Sequence, residues 1–224
     1  MAFITVLIPA YNEAKDIAKT ILGLRSVIPE PRQIIVIDDG STDNTYNIAK
    51  NTGAEVCRLE KNRGKGTALN MAIPMVKGDF ILLIDADVGY SAKEVKKLMD
   101  PVLKNKADVA IAKFPAPEIK GFGLVKKLAR IGMYYYSGKT LDSILSGQRA
   151  LTKKVFNSIT PFAEGYSVEI ASSIKIARLN IRVIEVPVSM KHRTTDRSIA
   201  GFYHRGIQFW HILRYLLFRE LKRC

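Results

Sequence analysis

Gly78-Asp79-Phe80-Ile81-Leu82-Leu83-Ile84-Asp85-Ala86-Asp87 is the stretch from which the rest of the chain can be read. Its apolar run, closed by acids, predicts a strand buried on both faces. Asp85 and Asp87 then stand where the backbone leaves the sheet, the place at which open α/β sheets bind ligands. Two carboxylates at i and i+2 can hold a hard divalent cation, and such a cation keeps positions open for substrate phosphates. The stretch therefore predicts a metal–diphosphate site on the rim of a sheet.

Outward from it, the same grammar repeats. Phe3 to Ile8 is a first strand, stopped by Pro9, and Asn12 is placed to cap a helix from about Glu13 to Ser26. Ile34-Ile35-Val36-Ile37 is a second buried strand with Asp38-Asp39-Gly40-Ser41 at its carboxyl end. A helix from about Asp43 to Asn51 leads to a weaker strand over Glu55 to Leu59. Asn62-Arg63-Gly64-Lys65-Gly66 opens a helix through about Val76. Ser91-Ala92-Lys93-Glu94 has the form of a capping box for a helix to about Leu103, and Ala107 to Ala112 and Ile184 to Val188 are further strands. Strands alternating with helices at this pace predict an α/β fold, a mostly parallel central sheet flanked by helices.

The 224 residues, 47% hydrophobic and 25% charged, suit one folded domain. A net charge of +14 points to an anionic partner. Cys57 and Cys224 form neither a disulfide framework nor a metal spacing, so the expected compartment is a reducing cytoplasm. Met1 to Ala10 lacks the basic segment of a signal peptide, and no window approaches 18 apolar residues, so no bilayer span is expected. No nucleic-acid module is recognisable, and none is expected as a partner.

Asp38-Asp39 is a second carboxylate pair at a strand end. Asp-Gly-Ser sequences also make good turns, but a carboxylate can accept the N3–H of a uracil ring, so one pair could read a base while the other holds metal. Gly64-Lys65-Gly66 at a helix N-terminus favours an anion. It is neither a Walker A loop nor a dinucleotide fingerprint.

Together Ile8-Pro9-Ala10-Tyr11-Asn12-Glu13, Val36-Ile37-Asp38-Asp39-Gly40-Ser41-Thr42-Asp43, Asn62-Arg63-Gly64-Lys65-Gly66 and Asp85-Ala86-Asp87 resemble, in order and spacing, the family 2 glycosyltransferases of the A-type fold. The resemblance covers roughly the first half of the chain. It implies a UDP- or GDP-sugar donor, with UDP-glucose the working guess. Pro9, Ala10, Tyr11, Glu13, Asp38 and Asp39 would lie around base and ribose, with Lys65 and Gly66 at the phosphates. Asp87 would ligate Mg²⁺ or Mn²⁺, and Asp85 and Ala86 would lie beside ribose and metal. Asp142-Ser143-Ile144-Leu145-Ser146-Gly147-Gln148-Arg149-Ala150 is similar to a stretch of the polyprenyl-phosphate hexosyltransferases, which implies Arg149 near phosphate groups. Gly165-Tyr166-Ser167-Val168-Glu169-Ile170 with Met190-Lys191-His192-Arg193 resembles the glucosyl-3-phosphoglycerate synthases, which implies His192 as a further metal ligand. One of these groups is inverting and the other retaining. A hydroxyl acceptor benefits from a carboxylate base, for which Glu169 is the candidate, whereas an ionised phosphate needs only positioning cations.

Ile119 to Lys139 carries five Lys or Arg and no acid. In it Phe122, Val125, Leu128 and Ala129 fall on one helical face and Lys126, Lys127 and Arg130 on the other. Phe202 to Arg223 is a helix with Ile207, Phe209, Trp210, Leu213, Leu217 and Phe218 around a stripe of Gln208, His211 and Arg214. Basic flanks with aromatic residues fit an interfacial helix on an anionic membrane. Alternatively the two helices pack on each other or make a homodimer. The expected organisation is a catalytic domain over 1–201, with a nucleotide-sugar part (1–112) and an acceptor part (113–201), then a basic amphipathic tail (202–224). The expected activity is metal-dependent transfer of a hexose to a polyprenyl phosphate at the inner face of the cytoplasmic membrane. Transfer to a soluble acceptor such as phosphoglycerate, or non-catalytic binding of a nucleotide sugar, are the alternatives.

Overall fold

In the computed structural model, residues 2–30, 32–115, 123–190, 206 and 209–220 are described below. Seven strands form one sheet: β1 (Ile4–Ala10), β2 (Arg32–Asp38), β3 (Glu55–Arg58), β4 (Phe80–Leu83), β5 (Val109–Lys113), β6 (Arg149–Thr152) and β7 (Val183–Pro187), in the order β3-β2-β1-β4-β6-β5-β7. All pairs are parallel except those of β6, which runs antiparallel between β4 and β5. Between the strands lie α1 (Ile17–Arg25), α2 (Thr45–Asn51), α3 (Lys65–Ala72), α4 (Val95–Leu103), α5 (Leu124–Ser137), α6 (Lys153–Ile159) and α7 (Val168–Arg178).

Alternation along the strands divides the core. Val6, Ile8, Val36 and Leu82 point to one face, where Ile17, Ile21 and Leu24 of α1 and Val95 and Leu98 of α4 cover them. Leu7, Ile35, Ile37, Ile81 and Leu83 point to the other, against Leu69 of α3, Phe156 of α6 and Ile176 of α7. A sheet buried on both sides needs continuous apolar runs, and each fully buried Leu or Ile contributes about 1.5–3 kcal/mol.

Three local expectations are corrected. Asn12 does not cap α1, which begins only at Ile17; its backbone sits at φ 55°. Its carboxamide oxygen instead accepts from Thr42 N (2.9 Å), and its own N–H donates to Ser41 Oγ (2.9 Å), lacing the loop after β1 to the loop after β2. Ser91–Glu94 forms no capping box. Those residues end a 3₁₀ stretch over Ala86–Glu94, kinked at Gly89, and Glu94 is drawn to Lys97 Nζ and Ser189 N. The helix opened at Lys65 stops at Ala72, followed by a 3₁₀ turn over Ile73–Met75.

A third cluster joins the second half of the chain. Ala129 and Met133 of α5, Ile170 and Ile174 of α7, and Ile212, Tyr215 and Leu216 of the helical turns over 209–220 pack together. The tail thus does pack on α5, through residues other than those expected to form its apolar face. Trp210, Leu217 and Phe218 stay exposed, while Ile207 and Gln208 lie outside the described residues. Among the described residues no helix is long and apolar enough to cross a membrane.

Candidate active site

The carboxyl ends of β1, β2 and β4 meet on one rim, and antiparallel β6 begins at that rim with Arg149. Three loops leave strands at this rim, and a fourth, over 138–148, enters β6 there.

Lys65 is the hub. It begins α3, and its ammonium lies 2.6 Å from Asp85 Oδ1 and 2.8 Å from Glu169 Oε1. Asp85 follows β4, and Glu169 stands in the first turn of α7. Burial opposes the charge on Lys65, but attraction by Asp85 and then Glu169 outweighs it and raises the pKa above the ordinary lysine value. Lys65 is therefore a fixed cation already bracketed by two carboxylates. Gly147 lies against this cluster: a Cβ there would come 2.6 Å from Lys65 Nζ and 2.8 Å from Asp85 Oδ2. Gly66, expected at the donor phosphates, packs instead against backbone, since a Cβ on it would overlap Ala163 O.

Asp38 and Asp39 both turn inward. Asp38 is fully buried; Ser41 N donates to its Oδ1 (2.9 Å), and Arg58 Nε lies 3.1 Å from its Oδ2. It holds the turn and is not open to a ligand. Arg58 continues to Ser41 O (2.8 Å) and covers the Tyr46 ring, a pairing not anticipated from sequence. Asp39 accepts from Arg63 N and Gly64 N, each at 2.8 Å, so it fixes the loop that delivers Lys65. Each of its oxygens retains a second lone pair. Pro9 lines the cleft beside Lys65 and Asp85, Ala10 is buried with its carbonyl accepting from Asp39 N, and Tyr11 is exposed at the rim. Glu13 is half-buried, and its N–H donates to Thr45 Oγ1 (2.8 Å).

Past β4, Ala86 is buried while its neighbours Asp85 and Asp87 are half-buried, as expected of alternate residues at a strand's exit. Carboxylate oxygens so placed are a donor set suited to Mg²⁺ or Mn²⁺. Among the described residues no group of three His, Cys, Asp or Glu side chains converges as a metal site. His192 and Arg193 lie outside the described residues.

Arg149 departs most from expectation. It is 1% exposed, and its guanidinium donates to Ser146 O (2.9 Å), Ile144 O (3.1 Å), Glu169 O (3.1 Å) and Ser173 Oγ (2.9 Å). Burial lowers its pKa to about 10, so it remains charged at neutral pH. These bonds clamp the 144–147 loop onto α7, and among the described residues Nη1 has no hydrogen-bond partner at the floor of the cleft. Arg149 supplies field and scaffold beneath the carboxylates, not an exposed hand for a phosphate.

Residues 5–171 match the model of the family described as glycosyl transferase family 2. Glycosyltransferase AglJ of Haloferax volcanii is 28% identical over 221 residues, spanning 94% of this chain and 71% of the relative. MJ1222 of Methanocaldococcus jannaschii, an uncharacterized protein, is 33% identical over 217 residues, spanning 89% and 88%. Glucosyl-3-phosphoglycerate synthase from Mycobacterium tuberculosis, solved with Mn²⁺, UDP and phosphoglyceric acid, superposes with a TM-score of 0.79 at 25% identity over 98% of this chain and 78% of that one. A further complex of that enzyme holds Mn²⁺, UDP-glucose and phosphoglyceric acid.

Proposed function

The chain belongs to the family 2 glycosyl transferases, and from that premise we propose that it moves a hexose from a nucleoside diphosphate sugar onto an acceptor phosphate carried by a polyprenyl lipid. The observation that carries the reading is Lys65 held between Asp85 and Glu169, with Asp87 two residues past Asp85 in the chain. Asp87, with Asp85 in support, would hold Mg²⁺ or Mn²⁺. When bound, that ion supplies Lewis-acid stabilisation of charge on the departing diphosphate.

The chain's own residues do the rest. Transfer breaks the bond from the anomeric carbon to the diphosphate oxygen and makes one to an acceptor oxygen. Lys65, pinned by two acids, is pre-oriented, so it needs no reorganisation as charge develops. Arg149 adds a second fixed positive charge from below. Asp39 holds Arg63 and Gly64 in place and so ties the end of β2 to the loop bearing Lys65. Oε1 of Glu169 is taken up by Lys65 at 2.8 Å, which leaves that oxygen engaged away from an acceptor hydroxyl. That favours an acceptor already ionised, which a phosphate is near neutral pH. The exposed aromatic residues of α5 and the tail, with Lys126, Lys127 and Arg130, support a lipid carrier at a membrane surface.

A second reading, transfer to a soluble phosphorylated acceptor, is favoured by the phosphoglyceric acid bound in the M. tuberculosis enzyme. A panel of UDP- and GDP-sugars in thermal-shift measurements, with and without Mn²⁺, tests the donor half. One nucleotide with Mn²⁺ raises Tm, by about 2.7 kcal/mol of added stability at a hundredfold excess over Kd, and Asp87→Ala abolishes the rise. An unaltered rise in Asp87→Ala refutes the assignment. Transfer to a short-chain polyprenyl phosphate against phosphoglycerate separates the acceptors.

A further inference from the structure

One side of the tail is joined to the helix that carries Glu169. Ile212, Tyr215 and Leu216 are buried against α5 and α7, and Tyr136 Oη–H donates to Leu216 O (2.6 Å). Above them His211 seats on the Gly165–Ser167 turn. Ser167 Oγ–H donates to His211 O (3.1 Å), and a Cβ on Gly165 would collide with the His211 imidazole, reaching 2.8 Å from Cε1. That turn runs directly into Val168 and Glu169, and Glu169 holds Lys65. The path from tail to catalytic cluster is therefore one contact and one turn long.

The other side of the same two helices is exposed and apolar. Tyr135 is 74% exposed and Trp210 61%, with Ile131, Tyr134, Leu217 and Phe218 similarly open. Ile131, Tyr134 and Tyr135 stand at i, i+3 and i+4, one stripe of α5. Exposed Lys126, Lys127, Arg130 and Arg214 accompany them, and α5 contains no acidic residue. Large aromatic residues among cations complement the headgroup region of an anionic bilayer, where amphipathic rings are favoured and basic groups are attracted.

We propose that this face docks on an anionic lipid surface and that docking is relayed to Glu169 and Lys65 through the seating of His211 on Gly165. The proposal deepens the polyprenyl-phosphate reading and rests on it for its purpose. His211 is on this account a positioning residue. Firm seating of the tail fixes the Gly165–Ser167 turn, and the turn fixes the first residues of α7. By reciprocity, a ligand that orders Lys65 and Glu169 must tighten lipid binding by the same factor that lipid tightens the ligand.

Trp210 is the sole tryptophan, so its fluorescence reports docking directly. With the full chain, vesicles of equal parts phosphatidylglycerol and phosphatidylcholine shift Trp210 emission to the blue, and pure phosphatidylcholine vesicles do so less. Amide exchange over residues 163–171 then slows about fivefold, and UDP with Mn²⁺ tightens vesicle binding about fivefold, a coupling of ordinary size. His211→Ala and His211→Gln keep the Trp210 shift but lose both effects, whereas Leu217→Gln with Phe218→Gln weakens the shift itself. No shift with anionic vesicles overturns the proposal, as does a shift that leaves exchange over 163–171 unchanged. Concentration-dependent burial of Trp210 without vesicles, seen by sedimentation, overturns it in favour of a dimer. If UDP and Mn²⁺ do not bind at all, the donor reading fails, while the exchange measurement still decides the relay.

Discussion

Gly147→Ala tests the catalytic cluster with the least disturbance elsewhere. Gly147 does not adopt a positive φ, so alanine brings no backbone strain. What it brings is a methyl group 2.6 Å from Lys65 Nζ and 2.8 and 3.0 Å from the two oxygens of Asp85. Restoring ordinary contact requires the ammonium to retreat by about 0.8 Å and the nearer carboxylate oxygen by about 0.6 Å. Lysine ends are flexible, so the stability cost is below about 1 kcal/mol and the urea midpoint moves little. Catalysis is less tolerant, because a misplacement near 1 Å costs about 10²-fold, or about 2.7 kcal/mol of transition-state stabilisation. Release of nucleoside diphosphate from the donor, with kcat and KM determined separately, is the assay. We expect kcat to fall about a hundredfold with donor KM changing only a few-fold. A kcat within about threefold of the parent, in a variant of parental stability, refutes the view that the Lys65–Asp85 spacing governs turnover. Global unfolding would refute it too, by making Gly147 a packing residue first.

Two further perturbations separate scaffold from chemistry. Arg149→Met removes the guanidinium's bonds to the carbonyls of Ser146, Ile144 and Glu169, of which Ile144 O keeps Ser173 Oγ as a donor, so it destabilises by about 2–4 kcal/mol in urea unfolding; parental stability with lost activity would instead return Arg149 to a phosphate-binding role. Arg182 donates to Asp108 through Nη2 (3.0 Å) and Nε (3.2 Å), and this hydrogen bonding holds the Asp108 carboxyl below its usual range. A depressed carboxylate pKa contributes stability above about pH 4, the unfolded value, and loses it as pH falls through the lower folded value. The Tm gap between the parent and Arg182→Ala is therefore present at pH 7 and closes below pH 4; a gap that widens in acid refutes the pairing.

Much of the fold was legible because both-face burial leaves a local trace. Runs such as Ile34–Ile37 and Phe80–Ile84 leave few alternatives to central strands, and both are strands of the sheet core. β6 left no such trace. It has four residues, starts with an arginine and owes its existence to partners at least 66 residues upstream in β4. Asn12 and Glu94 misled for a related reason. Each has the chemistry of a cap, but tertiary partners, Thr42 for one and Ser189 for the other, claimed the side chain. In the site, residue types were legible and partnerships were not. Asp39, Lys65, Asp85 and Glu169 were all candidates, yet nothing local to Lys65 discloses that it will meet a glutamate 104 positions later. Gly147 passed as one letter of a stretch, because a glycine's importance lies in the neighbour it admits.

The reversed strand also has a consequence for how the molecule is made. β4 and β5 are complete well before Arg149 is synthesised, and they do not pair with each other; β6 must slot between them. A nascent chain therefore carries β4 and β5 each with an open edge until β6 has emerged, and the other edge of β5 stays open until β7 follows. Such edges template pairing with other chains, and closure by a distant segment slows folding. The stretch of chain from Lys113 to Arg149 is thus a waiting period during synthesis, an interval in which unpaired strand edges expose this protein to aggregation.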